Sequence, residues 1–156
     1  MSITYHIKEI SPLDTGVGQL IEKLNAYQTS LYPPEKCHLE SPETLIQNKA
    51  IMLGAFAEEQ LIGMGAVKPM GDYAEIKRMF VDEHYRGTGV AKLILENLEQ
   101  KALDLGFTII RLETGSKHFA AMKFYEKQGY SYTEPFGNYP KNDVSVLMQK
   151  IIPNGI

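Results

Sequence analysis

The 156-residue sequence has no tryptophan and one cysteine, Cys37. A lone thiol excludes an internal disulfide and a cysteine-rich zinc centre, no metal is expected, and the chain suits a reducing compartment such as the cytoplasm. No window approaches the roughly 20 apolar residues of a membrane span. The N-terminus, MSITYHIKEI, lacks the apolar run of a secretory signal. Neither sign of charge dominates: 16 Lys+Arg stand against 19 Asp+Glu, a formal net charge of −3. The totals therefore give no case for nucleic acid or an anionic membrane as partner. Repeats and low-complexity segments are also missing. What is present, 44% apolar and 22% charged residues, suits one core, and residues 1–156 are read as a single domain.

Hydrophobic periodicity orders the chain. Ser2–Ile10 alternates as a first strand. Val17, Leu20, Ile21, Leu24 and Tyr27 recur at helical spacing until Tyr32-Pro33-Pro34 ends the helix. Ser41-Pro42 opens a short helix to about Asn48. Ile51–Ala57, Leu61–Pro69 and Ala74–Val81 read as an antiparallel run. Alternation fails at Met79-Phe80-Val81, which predicts a bulge. A helix with the stripe Val90, Leu93, Ile94, Leu98, Ala102 and Leu105 spans about Gly89 to Leu105. Phe107–Glu113 is a strand returning parallel to the one ending at Val81. A helix over about Lys117–Gln128 follows, then strands at Tyr130–Thr133 and Asp143–Ile151. The order β-α-α-β-β-β-α-β-α-β-β predicts an α/β fold: a mixed sheet with helices on its faces. The final strands offer an interface for a homodimer.

The segment Arg86-Gly87-Thr88-Gly89-Val90-Ala91 places bare backbone where a long helix starts. A helix N-terminus presents unpaired amides and the positive end of its dipole, so a phosphate or diphosphate is the natural ligand, and a tight turn with no ligand is the other reading. The Gly-x-x-x-x-Gly-Lys-Ser/Thr loop is absent. A dinucleotide fingerprint needs glycine where Lys92 stands, and an early place in a parallel sheet.

Those six residues match the Arg/Gln-x-x-Gly-x-Gly/Ala signature of the GNAT N-acetyltransferase superfamily. Met79-Phe80-Val81 sits where that family's apolar pair precedes the arginine. Ala121–Tyr130 is similar to its Ala-x-x-x-Tyr-x-x-x-Gly-Phe/Tyr helix end. RLETGS with EPFGNYP resembles a bacterial subgroup of small, mostly uncharacterised members. One departure is His118, where the family often has asparagine. The resemblance implies acetyl-coenzyme A (acetyl-CoA) as cofactor and a primary amine, on a small polar molecule or a peptide, as acceptor. Amides from Arg86 to Ala91, with Gly87, Thr88, Gly89 and Val90 between, would hold the diphosphate. Backbone of Met79, Phe80 and Val81, freed by the bulge, would pair with the pantetheine arm and meet the oxyanion.

Acyl transfer to an amine needs a base, a carbonyl stabiliser and a proton for the leaving thiolate, but no protein nucleophile. Cys37 and the adjacent His38 form no nucleophilic pair that sequence alone fixes. The resemblance places Tyr125 near the sulfur as proton donor; otherwise it reads as a core tyrosine. Glu75, sharing a face of its strand with Lys77, is the candidate base, directly or through water; the two also read as a plain ion pair. His118 is a candidate cofactor contact or a solvated helix-start side chain. Lys117 and Lys123 are candidates for an adenosine phosphate. Tyr27, Tyr32 and His38, with Tyr139 on a later loop, are candidate walls for the acceptor. The same fold also admits a non-catalytic acyl-CoA sensor or assembly module.

Overall fold

The computed structural model describes residues 4–31, 41–134 and 145–153. Its elements follow the expected order: β1 (Tyr5–Ile10), α1 (Thr15–Leu31), α2 (Pro42–Gln47), β2 (Ile51–Ala57), β3 (Gln60–Pro69), β4 (Ala74–Val81), α3 (Val90–Asp104), β5 (Ile109–Gly115), α4 (Phe119–Lys127), β6 (Ser131–Tyr132) and β7 (Ser145–Ile151). The strands form one seven-stranded sheet, ordered β1-β2-β3-β4-β5-β7-β6. β1 to β4 are antiparallel neighbours, β4 and β5 are parallel, and β7 returns antiparallel to both β5 and β6.

Each face of the sheet carries its own apolar layer. On one, Val17, Leu20, Ile21 and Leu24 of α1 pack on Met52, Met64 and Ala66, with Phe80 at the edge. On the other, Val90, Ile94, Leu95, Leu98 and Ala102 of α3 cover Leu53, Ile62, Val67, Ile76, Ile110 and Leu112. Ile94 and Leu98 are fully buried, and burying each such side chain stabilises the fold by about 1.5–3 kcal/mol. The α3 stripe differs from the predicted one. Leu105 is the exposed C-cap, and Leu95 and Glu99 are buried instead. Glu99 is tolerated there because the Tyr130 hydroxyl donates to it at 2.7 Å and Lys150 Nζ at 3.2 Å.

The predicted bulge exists but lies one step earlier. Met64 faces Phe80 while Ala66 faces Lys77, so Gly65 alone opposes Arg78 and Met79. Arg78 is the extra residue and takes φ 58. Three consecutive apolar residues follow because both faces of the sheet are covered: Met79 and Val81 join the α3 layer and Phe80 the α1 layer. Gly65 makes the bulge possible, since a Cβ there would lie 2.5 Å from Met79 Sδ and 2.8 Å from Leu98 Cδ1.

Beyond the bulge the sheet parts. β4 and β5 pair only at Ala74–Ile110, Glu75–Arg111 and Ile76–Leu112. β5 begins later than predicted and keeps its full ladder with β7, from Ile109–Ile151 to Gly115–Ser145. The parting of β4 from β5 is thus not a failure of β5 to pair.

Candidate active site

Where β4 and β5 diverge, a cleft of ≈ 800 Å³ opens. Its walls are the second half of β4, the end of β5, the start of α3, the first turns of α4, and Leu24, Tyr27 and Gln28 of α1. The predicted residues Met79, Phe80, Val81, Arg86, Gly87, Gly89, Val90, Ala91, His118, Tyr125 and Tyr27 all line it, whereas Glu75 does not. Tyr32, His38 and Tyr139, with Cys37, lie outside the described residues.

At one end the lining is backbone. Gly87 and Gly89 take φ 78 and φ 89, where any side chain is strained. An added Cβ at either would meet nothing within 4 Å, so the space before them is open. No side chain caps α3, because its N-cap residue is Gly89; the preceding Thr88 hydroxyl donates to Tyr85 O. The first turn of α3 has no acid and carries Lys92. A cation at a helix N-terminus opposes the dipole, an arrangement that an anion in front of the helix would relieve. These residues fit a diphosphate.

Along β4, Asp82 N–H donates to Ile62 O at 2.8 Å. Strand alternation then turns the amide and carbonyl of Val81 away from β3, toward the gap. The carbonyl is not left open, as the sequence reading expected. Arg86 Nε donates to it at 3.1 Å, and the guanidinium lies 5.5 Å from the Phe80 ring centroid and 5.9 Å from that of Tyr27. Arg86 therefore folds back over the strand end rather than projecting to the α3 amides.

The opposite wall comes from α4. Tyr125 is 7% exposed and rests edge-on against Phe124 and Tyr130, at centroid distances of 5.1 and 5.6 Å. Desolvation pushes its phenol well above the ordinary range, so it is protonated at neutral pH. His118 is half-buried rather than solvated. Its Nδ1 accepts from Gly115 N–H at 3.4 Å, and its ring stacks on Tyr27 at 5.3 Å and 16°. Burial lowers its pKa and favours the neutral ring. Beside it, Lys117 Nζ donates to Leu31 O at 3.2 Å, completing the C-terminus of α1 across the cleft.

Glu75 is 2% exposed, and its Oε2 lies 3.5 Å from Lys77 Nζ. Lys77 does line the cleft, as does Glu113, whose carboxylate accepts from Ser145 at 2.7 Å. Gln28, Arg78 and Thr114 are among the polar lining residues that the sequence reading did not single out. Arg78 carried no local signal: beside Lys77 in a strand it reads as a solvated charge, and its burial follows from the apolar layers on both faces of the sheet. No cluster of three or more His, Cys, Asp or Glu that could hold a metal occurs among the described residues. No described helix is long and apolar enough to cross a membrane.

Comparison with known proteins agrees with this geometry. The profile of the acetyltransferase (GNAT) family matches residues 18–130. The chain is 37% identical over 142 residues to an IAA acetyltransferase of Azospirillum brasilense, covering 90% of this chain and 93% of that one. A crystal structure from Klebsiella pneumoniae, assigned as an acyl-CoA N-acyltransferase, superposes with a TM-score of 0.82 at 30% identity, over 96% of this chain and 98% of that one. The PaiA N-acetyltransferase of Thermoplasma acidophilum, solved with coenzyme A, shares the fold at a TM-score of 0.71 and 21% identity, over 96% and 99% of the two chains.

Proposed function

Because this chain belongs to the acetyltransferase (GNAT) family, we propose that its cleft takes acetyl-CoA between β4 and β5 and passes the acetyl group directly to a primary amine in a ternary complex. The observation that carries this reading is the parting of two parallel strands after Ile76 and Leu112, with the uncapped start of α3 at one end and Tyr125 on the wall.

The thioester of the bound coenzyme supplies the activated acetyl group. The amides of Gly87 to Ala91 hold the diphosphate, and Lys92 adds charge. Arg86 gives up the Val81 carbonyl when the pantetheine arm takes its place as an extra strand. A backbone N–H of the Met79–Val81 stretch faces the carbonyl oxygen as negative charge develops there. Tyr125 enters protonated and donates to the departing sulfur. Burial weakens the phenol as an acid, but the same dry surroundings raise the proton affinity of the thiolate, so the transfer remains matched. Glu75, off the lining, receives the amine proton through water. His118 takes the place of the family's asparagine at the α4 start, and Tyr27, stacked on it, borders the acceptor.

Thiol release from acetyl-CoA by the full chain, measured against a panel of primary amines, tests this. Amine-dependent release with stoichiometric amide formation is expected. Coenzyme A binding without release across the panel would overturn the transferase reading for this cleft.

A further inference from the structure

The apolar stripe of α1 breaks where it reaches the cleft. Val17, Leu20, Ile21 and Leu24 pack in the α1 layer of the core. A helical repeat carries that stripe from Leu24 to the residue four on, which is Gln28. Gln28 is half-buried, while its neighbour Tyr27 is exposed. Leu24 and Gln28 both line the cleft. Gln28 Oε1 is buried, and no hydrogen-bond donor meets it among the described residues. A buried acceptor left unmet costs stability that an apolar side chain of the same shape would not. A molecule in the cleft that brings a donor would remove that cost.

The position of Gln28 says which molecule. Three contacts hold this stretch of α1 across the parting of the strands. The Tyr27 ring lies 5.9 Å from the Arg86 guanidinium on the β4 side and 5.3 Å from the His118 ring on the β5 side, and Leu31 O accepts from Lys117 Nζ at 3.2 Å. The groups assigned to the coenzyme stand on the other face of the sheet: Val90 and Tyr125 belong to the α3 layer, Leu24 to the α1 layer. With the leaving sulfur on the Tyr125 side, the amine approaches from the α1 side, where Gln28 stands.

Resting on the proposed transferase reading, we infer that Gln28 binds the acceptor: its amide oxygen accepts an N–H of the reacting nitrogen, which restricts the acceptor to primary amines. A neutral primary amine has two N–H bonds and one lone pair. The lone pair attacks the thioester carbon, and the C–S bond breaks as Tyr125 protonates the sulfur. One proton of the nitrogen leaves through water to Glu75, and solvent returns it to the Tyr125 phenolate. The other stays on the nitrogen of the amide product, held by Gln28 throughout. A secondary amine gives its single N–H to the base and leaves Gln28 unmet.

The test takes the primary amines that release thiol with the wild-type full chain, glycine, butylamine and benzylamine among those tried, and pairs each with its N-methyl form. The wild type is expected to favour the primary amine of each pair by at least about 10-fold in kcat/KM. Gln28→Leu removes the acceptor oxygen and keeps the shape. It should melt no lower than the wild type and bind coenzyme A equally well in calorimetry. Its KM for primary amines should rise about 10-fold, and the preference over N-methyl forms should shrink by about the same factor. Gln28→Glu keeps an acceptor oxygen at the same reach and should restore most of that preference. Equal turnover of both members of each pair by the wild type overturns the role of Gln28 and leaves the transferase standing. A preference unchanged in Gln28→Leu does the same, whatever its melting temperature. Weakened coenzyme A binding in Gln28→Leu assigns the residue to the coenzyme and overturns the inference. Coenzyme A binding with no acetyl transfer to any amine overturns both readings.

Discussion

At the α3 end the cleft is lined by backbone, from Gly87 to Val90; at the bulge end it is lined by side chains, with Arg78, Lys77, Gln28 and Tyr125 on its walls. The first end is shaped by what is missing: no Cβ at Gly87 or Gly89 and no side chain capping the helix. The second is shaped by what a strained strand holds in place. Backbone amides read a phosphate whatever else the ligand carries, so the first end suits a constant cosubstrate. Side chains can be exchanged without disturbing the ladder, so the second end is where specificity can change.

Substitutions separate the two ends. Gly89→Glu should act on the backbone end alone, forcing a bulky side chain into φ 89 and setting a negative charge against the diphosphate. Affinity for coenzyme A should fall by more than about 100-fold in calorimetry; wild-type affinity would remove the glycines from the site. Tyr125→Phe should act on the other end alone, lowering kcat by about 100-fold while the coenzyme A dissociation constant stays near that of the wild type. Unchanged turnover would return Tyr125 to the role of a packed ring.

Gly65→Ala addresses the seam between the ends. The new Cβ would press on Met79 Sδ and Leu98 Cδ1, at 2.5 and 2.8 Å. We expect about 1–3 kcal/mol lost in urea unfolding, and weaker coenzyme A binding because the bulge must shift. An unaffected midpoint would mean that the α3 layer yields more easily than its packing suggests.

The smallest effect belongs to the turn leading from β4 to the glycines. The amide of His84, then its ring, and Lys23 hold the Asp82 carboxyl down at about 2. The unfolded chain has it near 3.9, so the native state binds that proton less tightly. The charge therefore stabilises the fold above about pH 4 and is lost as pH falls from about 4 to about 2. Melting temperatures of wild type and Asp82→Asn should differ at pH 5 and converge toward pH 2. A constant gap would show that the side chain acts by shape alone.

The backbone end was also the legible one. Glycines beside a periodic apolar stripe mark a helix start by local rules, and the element order followed from the same periodicities. The side-chain end depends on contacts between distant segments. Met79-Phe80-Val81 signalled a bulge, but three apolar residues in a row also arise when both faces of a sheet are covered, so the extra residue was placed one step late. Arg78 reads locally as a solvated strand charge; only the α1 and α3 layers together make it buried. Likewise Glu75 shares a face with Lys77 as alternation requires, yet alternation cannot say that Lys77 reaches the lining while Glu75 stands behind it.

The contact between Tyr27 and His118, reinforced by Lys117 on the end of α1, links α1 to the start of α4 beside the split in the sheet. Strands joined at Ile76–Leu112 and side chains joined at the stack close a ring of protein around the gap. Because the stack belongs to no strand ladder, α1 and the start of α4 can separate there without breaking a single pair of the sheet.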